Sequence, residues 1–126
     1  MAIITKPWGQ EIVLTENNLP YAGKILEINA SHQLSLQYHD QKIETLTLVS
    51  GQAEITLDQQ TKPMVINQSI TIQPNTIHRI KAITNCQIFE VSTPETGTTF
   101  RLEDDYQRDN ETDIIRNLPN RGWNQS

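Results

Sequence analysis

Short alternations of apolar and polar residues recur along the chain, separated by polar or Asn/Pro/Gly-containing breaks. Alternation with a period of two is the signature of a strand with one buried face. It predicts strands over 10–15, 24–29, 34–39, 44–50, 53–57, 64–66, 70–72, 77–82 and 88–91. Segment 44–50 is apolar and Thr-rich enough to suggest a strand buried on both faces. Breaks fall at Asn17-Asn18-Leu19-Pro20, Gly51-Gln52, Asn67-Gln68, Pro74-Asn75 and Thr84-Asn85, and 58–63 reads as a polar hairpin loop. Eight or nine short strands at a spacing of roughly ten residues point to an all-β sandwich or barrel. After Val91 the periodicity fades: 94–99 is loop-like, 100–108 is charged with two aromatics, and 113–118 suits one or two helical turns closed by Pro119. The expected division is a β barrel over 1–108 and an irregular or helical tail over 109–126, with Trp123 packing back onto the body.

Composition agrees with this division. The chain has 126 residues, with sixteen Ile, ten Leu and four Val, a bias that favours strands. That length suits a single domain. No apolar run approaches the roughly 18 residues of a membrane-spanning helix, and the N-terminus lacks the pattern of a leader. The single cysteine, Cys86, cannot form an intramolecular disulfide and reads as a small buried hydrophobe. A cytoplasmic location is the simplest expectation. The net charge of −5 argues against nucleic acid as a partner. The charge is uneven: from Glu103 onward six acidic residues face three basic ones, so the body is nearly balanced and could host a small anion.

Three histidines offer candidate chemistry. His32 lies in a polar stretch and reads as a solvated loop residue. His39 shares a strand face with Ser35 and Gln37, Glu44 follows across a polar connection, and His78 opens a later strand. Gln37, His39, Glu44 and His78 together offer two imidazoles, a carboxylate and an amide oxygen, donors that suit a borderline divalent ion with positions left open for substrate.

The spacing Gln37-x-His39-x4-Glu44-x6-Gly51 resembles the first motif of the cupin superfamily, with Gln37 where a histidine usually stands and Ser31 at the leading glycine. The stretch from Ile72 to His78 resembles the second motif. Asn75 takes a glycine position there, a swap that suits a left-handed turn. Within the cupins, Lys6-Pro7-Trp8-Gly9, the stretch from Leu34 to His39, Val49-Ser50-Gly51, Thr76-Ile77-His78-Arg79 and Arg101-Leu102-Glu103-Asp104-Asp105-Tyr106-Gln107-Arg108 look like the type II phosphomannose isomerase domain, in its order. That domain is often fused to a mannose-1-phosphate guanylyltransferase half. Here it would stand alone.

The resemblance implies a double-stranded β-helix, or jelly-roll, barrel and a metal-dependent isomerase interconverting mannose 6-phosphate and fructose 6-phosphate. It implies one divalent ion on Gln37, His39, Glu44 and His78, zinc first, with cobalt, manganese, iron or nickel as alternatives. Lys42 stands where the family has an arginine and would be an electrophilic helper. Glu90 would serve as a base or a supporting group, Arg101 would contact the phosphate, and Lys24 and Arg79 would assist in binding substrate. Trp8 reads as a packing anchor. A homodimer is expected from the exposed strand edges that such barrels present. Loss of the family's histidine cluster and of its arginine supports an alternative, a catalytically reduced metal-binding cupin that binds a sugar or sugar nucleotide or partners a separate guanylyltransferase. A metal-dependent dioxygenase is a third reading, weakened by Gln37.

Overall fold

The computed structural model describes residues 2–123. Among the described residues, eleven strands form two antiparallel sheets. The first contains β1 (Ala2–Lys6), β2 (Gly9–Val13), β3 (Ala22–Ile28), β5 (Glu44–Ser50), β8 (Ser69–Ile72) and β10 (Cys86–Ser92), in the order β1-β2-β3-β10-β5-β8. The second contains β4 (Leu36–His39), β6 (Ala53–Leu57), β7 (Gln60–Pro63), β9 (His78–Ala82) and β11 (Thr99–Glu103), in the order β11-β4-β9-β6-β7. A single helical turn, α1 (Asp113–Arg116), and a 3-10 turn (Pro119–Gly122) follow. Among the described residues no helix is long and apolar enough to cross a membrane.

The inward face of each strand supplies the core. Leu26, Ile28, Leu46, Leu48, Ile55, Ile72, Ile80 and Ile88 are almost wholly buried, and Trp8 joins them as the anchor expected of it. Cys86 is buried beside them, and burial pushes its thiol up to about 11. In β5 only Glu44, Leu46 and Leu48 are buried, while Thr45 and Thr47 are half-exposed and Val49 and Ser50 are exposed. The strand therefore alternates and is not buried on both faces. Thr45 and Thr47 bond Thr71 and Ser69 of the neighbouring strand on the outer surface (2.8 and 2.7 Å), which is how a Thr-rich run can face water.

Several expectations are corrected. β1 and β11 form where the periodicity predicts no strand, and β7 forms where a polar hairpin loop is expected. All four residues of β7 are exposed, so that strand carries no burial pattern; it is an edge strand, where Pro63 is tolerated. Segment 64–66 is not a strand: Met64 is buried and bonds Ala53, while Val65 and Ile66 are exposed. The tail helix is shorter than 113–118 and is capped by Thr112, whose side chain accepts from the Ile115 amide.

Two turn positions decide how the chain enters the site. Asn75 has φ 66° and Ser31 has φ 69°, so both residues standing at family glycines adopt the left-handed backbone that favours glycine. Gly51 itself has φ 84°, and a Cβ there would lie 2.2 Å from the Asn85 carbonyl oxygen. That close approach requires glycine between β5 and β6.

Candidate metal centre

Strand register assembles the site. Gln37 of β4 pairs with His78 of β9 on one side and with Arg101 of β11 on the other, and Thr99 of β11 pairs with His39. Directly paired residues project to the same sheet face, so these side chains share the barrel interior. Glu44 enters from the first sheet, at the start of β5.

Glu44 Oε1 lies 3.0 Å from His78 Nε2 and 3.4 Å from His39 Nε2. Donor atoms of the three residues all fall within 4.8 Å of one another, and all three residues are buried. The far nitrogen of each ring is tied down. His78 Nδ1 donates to the Thr76 carbonyl oxygen at 2.8 Å, and His39 Nδ1 shares a 2.8 Å bond with Thr99 Oγ1. With Nδ1 donating, a neutral His78 turns the lone pair of Nε2 at a carboxylate oxygen. A cation between them satisfies both, so the donor set fits a metal ion. Burial lowers the pKa of His39, which favours the neutral ligand form. Burial also opposes the charge of Glu44, yet Lys42 and the two histidines outweigh it and hold the carboxyl well below the ordinary range.

Gln37 lies beside the three. Its amide nitrogen is 3.5 Å from His39 Nε2, and its oxygen accepts from Ser35 Oγ at 2.6 Å. Around them is a cavity of about 50 Å³, room for an ion and a few waters, since one water needs about 10–15 Å³.

Beyond the centre runs a buried ionic network. Lys42 Nζ lies 3.1 Å from Glu44 Oε2, 2.9 Å from Glu90 Oε2 and 3.1 Å from Glu95 Oε1. Lys24 Nζ meets Glu11 (3.3 Å), Glu90 (3.8 Å) and Glu95. Burial works against both ammonium charges, but the surrounding carboxylates raise both lysines. Glu90 moves the other way: desolvation pushes it up despite Lys42 and Lys24.

The model of the family described as mannose-6-phosphate isomerase C-terminal matches residues 2–111. The chain belongs to this family. Among curated proteins, mannose-1-phosphate guanylyltransferase RfbM of Salmonella typhimurium is 27% identical over 107 residues, which are 83% of this chain and 21% of that protein. The chain thus spans about a fifth of that relative's length. Two solved structures show the fold. A cupin 2 domain-containing protein from Halorhodospira halophila matches with a TM-score of 0.67 at 18% identity, covering 75% of this chain and 70% of the other. A cupin-2 domain from Rhodospirillum rubrum matches at 0.66 and 15% identity, covering 77% and 66%.

In this mannose-6-phosphate isomerase C-terminal domain the residues expected at the site are distributed as follows. Gln37, His39, Glu44 and His78 converge, and Lys42, Glu90, Arg79 and Arg101 join them in lining the cavity. Lys24 does not line it and stands behind, within the carboxylates. Arg79 donates to the backbone carbonyls of Leu34 (3.0 Å) and Glu103 (3.2 Å), and no carboxylate neutralises it among the described residues. Arg101 donates to Asp109 O and Glu111 Oε2, while its Nε is buried without a partner among the described residues.

Sequence reasoning missed the roles of Ser35 and Thr99, which hydrogen-bond Gln37 and His39, and of Glu11, Glu95, Glu111 and Arg121, which complete the ion network. The available signal was register: Glu11 pairs with Leu26, a core residue, and so must point inward.

Proposed function

We propose that this domain is a metal-dependent aldose–ketose isomerase that interconverts mannose 6-phosphate and fructose 6-phosphate. The observation that carries the reading is the buried meeting of Glu44 Oε1 with the Nε2 atoms of His39 and His78 inside a domain of this family. His39, Glu44 and His78 would hold the ion, zinc first. Gln37 would add its oxygen once its amide turns over, with the amide nitrogen then donating to Ser35. A bound divalent ion supplies Lewis-acid polarisation of the sugar's carbonyl and hydroxyl oxygens.

The remaining residues bind and move protons. Isomerisation carries a proton between C2 and C1, which calls for a carboxyl able to exist in both states. Glu90 lines the cavity and is pushed upward by burial, the direction that suits a proton carrier. Lys42 holds its ammonium against Glu44 and Glu90 and keeps positive charge beside the developing oxyanion. Arg79, not neutralised by a carboxylate, and the free Nε of Arg101 are the groups suited to the phosphate.

A second reading is favoured by the saturation of Lys42. Three carboxylates surround the lysine that stands where the family has an arginine, and lysine lacks the planar fork that grips a phosphate or enediolate. On this reading the domain binds a sugar or sugar nucleotide, or works beside a separate guanylyltransferase, without turnover.

The test is metal content of the purified chain, followed by fructose 6-phosphate formation from mannose 6-phosphate with and without added Zn²⁺, Co²⁺ or Mn²⁺. Stoichiometric metal with turnover, both lost in His39→Ala, is expected. Metal without turnover would favour the binding reading, and no metal after reconstitution would overturn the isomerase reading.

A further inference from the structure

The matched family domain ends at residue 111, yet the next segment, 112–123, is tied into the surroundings of the metal centre. Apolar packing explains only part of its docking: neither α1 nor the 3-10 turn has a buried residue, while Trp123, as expected of it, packs edge-on against Tyr106 at 6.2 Å. Polar anchors supply the rest. Arg116 reaches Glu111 (3.2 Å) and the Gly97 carbonyl (3.1 Å), and Asn120 Oδ1 accepts from the Thr5 amide (3.0 Å). Arg121 inserts its guanidinium among Glu95, Glu111 (2.9 Å) and Glu11 (3.9 Å). To deliver it, the backbone places two successive non-glycine residues, Asn120 (φ 47°) and Arg121 (φ 54°), in the left-handed region. Such strain persists only where surrounding contacts over-determine it.

The contacts form one continuous chain. Arg121 binds Glu95 Oε2, Glu95 Oε1 binds Lys42, and Lys42 binds Glu44 Oε2, leaving Glu44 Oε1 to the two histidines. Glu95 sits between β10 and β11, outside any strand. It lies among the like charges of Glu11, Glu90 and Glu111 and is held against them by Lys24 and Lys42 at Oε1 and by Arg121 and, at 3.7 Å, Arg116 at Oε2.

We propose that Arg121, from beyond the family domain, is a positioning residue of the metal centre: it clamps Glu95 onto Lys42, and Lys42 in turn presents Glu44 to the ion. The role toward the ion rests on the function proposed above; the clamp on Lys42 does not.

The experiment uses the full chain. Lysines are acetylated with an activated ester and quantified by peptide mass spectrometry in wild type, Arg121→Gln and Arg121→Lys. Lys62 and Lys81, both exposed, report on the fold as a whole. In Arg121→Gln, Lys42 is expected to react at least ~10-fold faster, with Lys62 and Lys81 unchanged, and Arg121→Lys is expected to restore most of the protection. Zn²⁺ affinity should fall by about tenfold in Arg121→Gln, as for loss of a group supporting a ligand. Unchanged labelling of Lys42 would overturn the proposal. So would equal acceleration at all lysines, which would make Arg121 a residue of barrel stability, or equal acceleration in both variants, which would remove charge as the basis of the clamp. A chain that binds no ion and converts no sugar would defeat the isomerase reading while leaving the labelling result to decide the clamp.

Discussion

At the scale of single residues, the centre depends on atoms that do not face it. Thr99 Oγ1 fixes one histidine and the Thr76 carbonyl fixes the other. The carbonyl belongs to the backbone and is indifferent to side-chain change, so Thr99 is the replaceable half of this support. Thr99→Val keeps the shape and removes the oxygen. It should weaken Zn²⁺ binding by about 10–100-fold in a chelator competition titration, with Thr99→Ser near wild type. The convergence of His39, Glu44 and His78 was legible in the sequence through the resemblance of two short motifs to a known family, one carrying His39 and Glu44 and the other His78. Thr99 was not, because its role arises only when β11 pairs with β4 and puts it opposite His39. Asn75, φ 66°, was legible as a left-handed turn residue because it stands at a family glycine position and Asn tolerates that backbone.

At the scale of elements, most strands that the pattern predicts are interior to their sheets, with the edge strand β8, which still buries Ile72, as the exception. β5 and β6 occupy the expected segments. The three strands it misses, β1, β7 and β11, all lie at sheet edges. An interior strand is held between two partners and buries one face, which writes an alternation into the sequence. An edge strand can be specified by its hydrogen bonds to a single neighbour and leave no such mark, as the fully exposed β7 shows. The same contrast sets the cost of mutation. Ile55, wholly buried in β6, should cost about 2–5 kcal/mol on truncation to Ala. Ile114 in α1, 78% exposed, should cost no more than about 0.5 kcal/mol. Urea denaturation of the two variants checks the difference.

At the scale of the whole molecule, the barrel interior combines an aliphatic core with a polar chamber. Its carboxylates set the response to acid. Burial opposes their charge, but the cations prevail: Glu11 is lowered to about 2 from an ordinary 4.5, and Glu44, Glu95 and Glu111 are also lowered. Groups depressed in the folded state stabilise it above the unfolded value and lose that contribution as pH falls through the folded one. Lys24 and Lys42 are raised above 10.5, so their contribution is present throughout neutral pH and is lost only in strong alkali. Glu90, pushed upward, acts in the opposite sense and removes part of the neutral plateau. The urea midpoint should therefore begin to fall below about pH 6.5, where the unfolded chain protonates His39 before the folded one does, and fall further below about pH 4.5, most steeply toward pH 2. A midpoint that rises on acidification would contradict this charge arrangement.

Within the strands, β4 and β9 are joined by a single register pair, Gln37 with His78, and the two histidines flank that seam. His78 lies far along the chain from His39 and Glu44 and meets them only after the barrel closes, so an ion would find only part of its site in a partly folded chain. Its effect would fall more on the rate of leaving the native state than on the rate of reaching it. A metal-loaded domain would thus gain its persistence from a clasp fastened last, across the least continuous seam of the second sheet.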